Sequence, residues 1–245
     1  MNLKPIVKYN INRLIKTIET FYKIIITMCI FIIIINKITG GEVTSSGIEA
    51  ASVIFIFIIG LSFFKENFYF MKSNNITRKD FLYGMAIAII PITIIMSIID
   101  LLINRIYNIF ISSPSMYDMI YTAIESNSNF IQDNSLYALI STMVFQVSLY
   151  LLAFSLGFLI CILYYKSNKF MKILLSISPM LIIMIIGNIG FYYNEAFMNL
   201  MSFLGVILGL ESNNSNFASL TFIILYIILM QLIRLLIKKI EIKQG

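Results

Sequence analysis

The chain has 245 residues, 59% of them hydrophobic and 12% charged, with a net charge of +6 and a mean hydropathy of +0.90. A soluble domain carries about 25% charged residues, so a water-soluble globular protein is excluded. With no histidine there are no imidazole metal sites or imidazole proton relays, and Cys29 and Cys161 sit singly in apolar runs as packing residues.

Taken in chain order, the sequence predicts an all-α polytopic membrane protein forming one transmembrane domain over 1–245. Over residues 1–20, Leu3, Val7, Ile11, Leu14, Ile18 and Phe21 share one helical face, and Lys4, Lys8, Asn12 and Lys16 share another. That pattern predicts an amphipathic N-terminal helix lying along the membrane surface, with a plain basic flank as the alternative. The first apolar run is followed by NKITGG with no small-residue cleavage site, so it is expected to stay in the mature protein.

Six runs reach the length of spanning helices: 21–36, 48–64, 83–103, 136–163, 170–191 and 217–237. Domain boundaries follow: helices one and two in 21–64, a connector at 65–82, helices three to five in 83–191, and helix six with a basic tail in 217–245. Sixteen of the eighteen basic residues fall in the N-terminal segment, the second and fourth connectors and the tail; only Lys37 and Arg105 fall on the other side. This predicts a cell-membrane protein with both termini cytoplasmic, and it makes the net charge a topology signal that calls for no nucleic acid. The excess of lysine over arginine, with abundant Ile and Asn, is associated with AT-rich bacterial genomes.

Between helices five and six, EAFMNLMSFLGVILGL is apolar but short for a crossing. An outer re-entrant segment over 192–216 is expected. Gly205 and Gly209 within it form a GxxxG that either allows close helix packing or arises by chance.

The connector FYFMKSNNITRKDFLYG carries the most specific local signal. Thr77 is placed as an N-cap with Asp80 three residues on, and Ile76 and Phe81 form a hydrophobic staple. Helix three is therefore expected to start at Thr77, outside the membrane, making the connector a structured elbow. It would present Phe68, Phe70, Met71, Thr77, Arg78, Lys79 and Asp80 for partner coupling; a solvated loop with snorkelling aromatics is the alternative.

The basic N-terminal helix, six spans, the NITRKDF elbow and the apolar segment before span six together resemble the ABC-2 type transporter permease family. The resemblance implies that the elbow is a coupling region docking on a separate ATP-binding cassette subunit. It further implies a second permease subunit, identical or paralogous, and a re-entrant region near the exit.

No GxxxxGK[ST] phosphate loop occurs, so ATP would be bound by another chain, and no nucleophile–base or metal-ligand constellation is present. No enzymatic activity and no cofactor are expected. Asp100 is the one acid placed within a span, and an interfacial pairing with Asn104 and Arg105 is expected for it. Ser141, Ser148 and Ser155 recur at seven on span four, with Gln146 near mid-depth and Asn188 in span five. Such spacing usually means helix packing, with Ser141, Gln146, Ser148 and Asn188 lining a pathway as the alternative. Pro91 and Pro179 are expected to kink spans three and five. The function expected is the permease subunit of an ATP-driven exporter of a hydrophobic or amphipathic peptide, drug or lipid. The rival readings are a non-transporting immunity or anchoring subunit and an ATP-independent secondary transporter.

Overall fold

A computed structural model describes residues 3–40, 45–122, 132–192 and 194–238. Eight α-helices account for most of them: α1 Lys4–Ile38, α2 Glu49–Ser73, α3 Arg78–Tyr107, α4 Met116–Tyr121, α5 Leu136–Lys166, α6 Lys169–Tyr192, α7 Asn194–Ile207 and α8 Ser215–Lys238. Five of these, α1, α3, α5, α6 and α8, are long and apolar enough to cross a membrane. In α2 the apolar part is the shorter stretch Glu49–Phe64, after which the helix continues as Lys65-Glu66-Asn67 and beyond. At 1.5 Å per residue the 14 residues of α7 cover about 21 Å, short of a hydrocarbon core of about 30 Å. Helices α3 and α6 both continue through their internal prolines, Pro91 and Pro179.

Helix directions follow from which residues meet. Ile6 packs on Gly84, Tyr22 reaches Met96, and Cys29 joins Tyr107, so α1 and α3 run parallel. Phe57 faces Gly157 and Phe64 faces Tyr165, so α2 and α5 also run parallel. Arg78 at the start of α3 meets Ile237 and Lys238 at the end of α8, which is antiparallel to α3. One end of the bundle therefore gathers the start of α1, the elbow between α2 and α3, and the C-termini of α5 and α8. The basic residues of the described chain, other than Lys23, Lys37 and Arg105, lie toward that end or along the N-terminal half of α1.

The core lies where α2, α3, α5 and α8 meet, and its largest fully buried side chains include Phe64, Phe81, Phe154, Phe158 and Tyr150. Gly60 and Gly157 set the α2–α5 distance. A Cβ on Gly60 would strike the Phe154 carbonyl oxygen, and one on Gly157 would strike that of Phe57. Glycine at both positions lets the two backbones touch.

The expected surface helix over 1–20 is not a separate element. Residues 4–38 form one continuous helix whose buried stripe is Ile6, Asn10, Leu14, Ile18 and Tyr22. The apolar face read from the sequence is thus present, rotated slightly, but it is covered by α3 instead of lipid headgroups. Lengthwise packing on a second helix buries the same stripe more completely than a flat membrane surface would. Helix α6 is the opposite case: Phe170, Ile173, Met180, Met184 and Ile185 are exposed on several sides, and it adjoins mainly α7.

The GxxxG of Gly205 and Gly209 does not act as a helix-packing motif. A Cβ on Gly205 would meet nothing, and Gly209 has a positive φ of 65°, ending α7 in a turn that leads back to α8. The amide of Leu210 donates to the Gly205 carbonyl across that turn. Glycine is needed at 209 both for its backbone freedom and because a Cβ there would strike the Asn214 carbonyl oxygen and crowd Phe217 at the start of α8.

Candidate functional site

The elbow is built as its local sequence dictates. Thr77 has extended backbone and its hydroxyl accepts from the Asp80 amide at 3.1 Å, so α3 begins at Arg78. Among the described residues, Asp80 does not return the bond to complete a capping box, and its Oδ1 has no partner. Asn75 takes φ of 56°, a left-handed turn that Asn tolerates, between the end of α2 and this cap.

Around that turn the named coupling residues divide. Phe68 is 3% exposed, stacked on Phe64 at 4.8 Å and edge-on to Phe81 at 5.8 Å. It anchors the elbow to the core and is unavailable to a partner. Phe70 is 45% exposed and stacks on Tyr9 of α1 with centroids 4.6 Å apart. Arg13 of α1 donates to the Asn67 side chain. Arg78 donates to the Lys238 carbonyl at 2.8 Å and thereby caps the C-terminus of α8. Lys79 remains at the surface, 5.9 Å above the Tyr83 ring. The Met71 side chain lies outside the described residues. The elbow is thus tied to α1, to the core and to α8, while Ser73, Asn74, Asn75, Thr77 and Lys79 are exposed.

A second constellation lies toward the opposite end. The Asp100 carboxylate is 3% exposed and accepts three hydroxyls from three other helices. Tyr22 of α1 donates to Oδ2 at 2.9 Å, Tyr150 of α5 donates to Oδ2 at 2.6 Å, and Ser52 of α2 donates to Oδ1 at 2.9 Å. The Tyr22 hydroxyl also lies 3.1 Å from the Met96 carbonyl. The expected pairing of Asp100 with Arg105 and Asn104 is not formed. Five residues along a helix turn about 140°, so Arg105 faces elsewhere, while Asn104 bonds the Ser113 carbonyl at 3.1 Å. These hydroxyls are Tyr and Ser residues 48 to 78 positions away, so no local motif announces them.

Just outward of this cluster is Glu49, 1% exposed, whose two carboxylate oxygens find no hydrogen-bond partner among the described residues. Asp118 is 1% exposed and closes a capping box with Ser115 at the start of α4. Tyr121 in α4 donates to the Leu208 carbonyl at 2.8 Å, and burial pushes its hydroxyl up to about 12. Among the described residues no group of three or more His, Cys, Asp or Glu is placed to hold a metal ion.

The polar residues weighed as pathway lining are dispersed. Ser141 is 7% exposed, while Gln146 and Ser148 are each 1% exposed, all within helix contacts of α5. Ser148 bonds back to the Phe145 carbonyl, and Gln146 Oε1 accepts from Ser97 of α3 at 3.0 Å. Asn188 is exposed on α6 and bonds the Met184 carbonyl. A groove of about 360 Å³ between α1 and α3 is lined by isoleucines that include Ile18, Ile92, Ile95 and Ile99, with Tyr22 in its wall and the Glu19–Lys23 pair at its rim. Compared with protein-family models, curated proteins and solved structures, the chain matches none.

Proposed function

We propose that this chain is the membrane-spanning permease subunit of an ATP-driven exporter, moved through its elbow by a separate ATP-binding cassette subunit. It works beside a second permease subunit, with both termini cytoplasmic and the α7 region re-entrant from the outer side. The substrate is hydrophobic or amphipathic, and the chain itself carries no catalytic residue.

One observation carries this reading: the elbow is a rigid, exposed knuckle joined to four helices. A coupling device must transmit displacement, and a flexible loop would absorb it. Phe68 in the core, Phe70 on Tyr9, Arg13 on Asn67 and Arg78 on the α8 terminus make α1, α2, α3 and α8 share any displacement of the elbow. ATP binding would then favour one arrangement of the docked elbow over another, which is all that coupling requires.

The test is purification of the chain from its native membrane under gentle solubilisation. An ATP-binding subunit should accompany it, and Lys79→Glu, at an exposed position, should release that subunit while leaving the chain inserted and folded. Purification with no such companion, or a Lys79→Glu chain that retains it and transports normally, overturns the reading.

A further inference from the structure

The Asp100 cluster has a property that simple cross-linking of helices does not need: it satisfies its hydrogen bonds in either protonation state. With the carboxylate charged, three hydroxyls donate to it and no cation is required. With the carboxyl protonated, Oδ2 becomes a donor to the Tyr22 hydroxyl oxygen. Tyr22 then turns its own proton to the Met96 carbonyl, already within reach at 3.1 Å, while Ser52 and Tyr150 keep their acceptors. No donor or acceptor of the cluster is orphaned in either state, so a change of protonation carries no penalty for an unsatisfied polar group.

Through the interior of the bundle, access is one-sided; the groove between α1 and α3 has Tyr22, not Asp100, in its wall. Outward of Asp100, Glu49 precedes Ser52 by one helical turn on α2, is buried, and has no side-chain hydrogen-bond partner among the described residues. It lies within electrostatic reach of both Asp100 and Asp118, the latter at the outer loop. On the other side, toward the elbow, the bundle is closed by Ile92, Ile89, Met85, Phe81, Phe154 and Phe158, each at most 1% exposed. Among the described residues no buried carboxylate or basic side chain lies in that half.

The charged groups facing the cluster are few. Arg105 of α3 is within electrostatic reach of Glu49, Asp118 and Asp133, and its Nε and Nη1 have no hydrogen-bond partner among the described residues. Lys23 of α1 is turned outward onto Glu19 at 2.8 Å. Helix α5 contributes Tyr150 and no charge, and the described cations of α8, Arg234 and Lys238, sit at the far end.

We infer that Asp100 is a reversible proton-binding site, loaded from the end of the bundle bearing Asp118 through Glu49, and sealed from the elbow end. Binding is addition of one proton to the carboxylate, with the Tyr22 hydroxyl rotating between its two acceptors. Because the hydroxyls come from α1, α2 and α5, the proton changes the bonds that hold four helices together. The site acts whatever drives transport, and it does not rest on the ATP-coupled reading.

The experiment is infrared difference spectroscopy of the full-length chain in lipid nanodiscs, titrated from about pH 8 to about pH 4, with carbon-13 aspartate to separate Asp from Glu. A protonated-carboxyl band should appear on acidification and be missing in Asp100→Asn. In Tyr150→Phe the charged form loses a charge-assisted donor, so the midpoint should rise by roughly one pH unit. Tyr22→Phe takes a donor from the charged form and the acceptor from the protonated one, so its midpoint should rise by less. In Glu49→Gln the band should persist but form several-fold more slowly after an acid jump. Should Asp100→Asn fail to fold, the Tyr22→Phe and Tyr150→Phe shifts carry the test. Absence of any aspartate band over that range, or an unmoved midpoint in both tyrosine variants, overturns the inference. An unslowed band in Glu49→Gln overturns the entry route.

Discussion

At the scale of single residues, the cap at Thr77 shows local sequence acting alone. Its hydroxyl satisfies the Asp80 amide, one of the four donors that the first turn of α3 leaves open. Thr77→Ala removes that acceptor and should destabilise the chain by about 1 kcal/mol, whereas Thr77→Ser should be nearly silent. Unfolding midpoints in detergent would separate them, and equal midpoints for Ala and Ser would show that the cap contributes nothing. This residue was legible because cap, acid and staple lie within a few positions. Phe68 was not. Its alternation with polar neighbours reads as surface, yet Phe64 one turn before it and Phe81 across the elbow form an aromatic cluster that draws it inward. Asp100 fails for a related reason: nearby Arg105 looks like its partner in one dimension, while the real donors arrive from three other helices.

Between elements, the tightest association is α2 against α5, and it depends on two glycines facing each other across the contact. An alanine methyl at Gly157 has no room beside the Phe57 carbonyl, which belongs to backbone and cannot turn aside. Gly157→Ala should therefore push the helices apart and cost roughly 1–3 kcal/mol, an overpacking penalty. By contrast Gly187→Ala on α6, where nothing lies within 4 Å, should be neutral or slightly stabilising through helix propensity. Thermal unfolding of the two variants side by side checks this, and a Gly157→Ala chain as stable as the wild type would mean the α2–α5 contact is looser than drawn. Hydropathy found the apolar stretches of all the long helices, because burial in lipid and burial in protein select the same side chains. It misjudged α1 for that same reason: an apolar stripe states that something covers it, not what. The stripe could face headgroups or α3, and only the meeting of Ile6 with Gly84 and Tyr22 with Asp100 decides.

For the whole molecule, the parallel course of α1 and α3 raises a question about depth. Glu19 and Lys23 line the same groove as Ile92, Ile95 and Ile99, so charges of α1 stand level with the apolar middle of α3. A charged side chain at that depth is costly unless it reaches water or a polar partner. The pairing of Glu19 with Lys23 at 2.8 Å lowers part of that cost but leaves both heads exposed. If the elbow end is cytoplasmic, as proposed above from the basic residues gathered there, impermeant maleimide applied to intact cells should label Ser112→Cys and Ser212→Cys but not Asn75→Cys or Asn168→Cys. All four positions are exposed, and the background would carry Cys29→Ala and Cys161→Ala. After permeabilisation Asn75→Cys and Asn168→Cys should react, and Lys16→Cys should react with them if water follows the charged face of α1 along the groove. Labelling of Asn75→Cys in intact cells would invert the proposed topology and detach the elbow from any cytoplasmic ATPase. A Lys16→Cys that stays unreactive on both sides would instead mean that lipid or protein, not water, covers this face of α1.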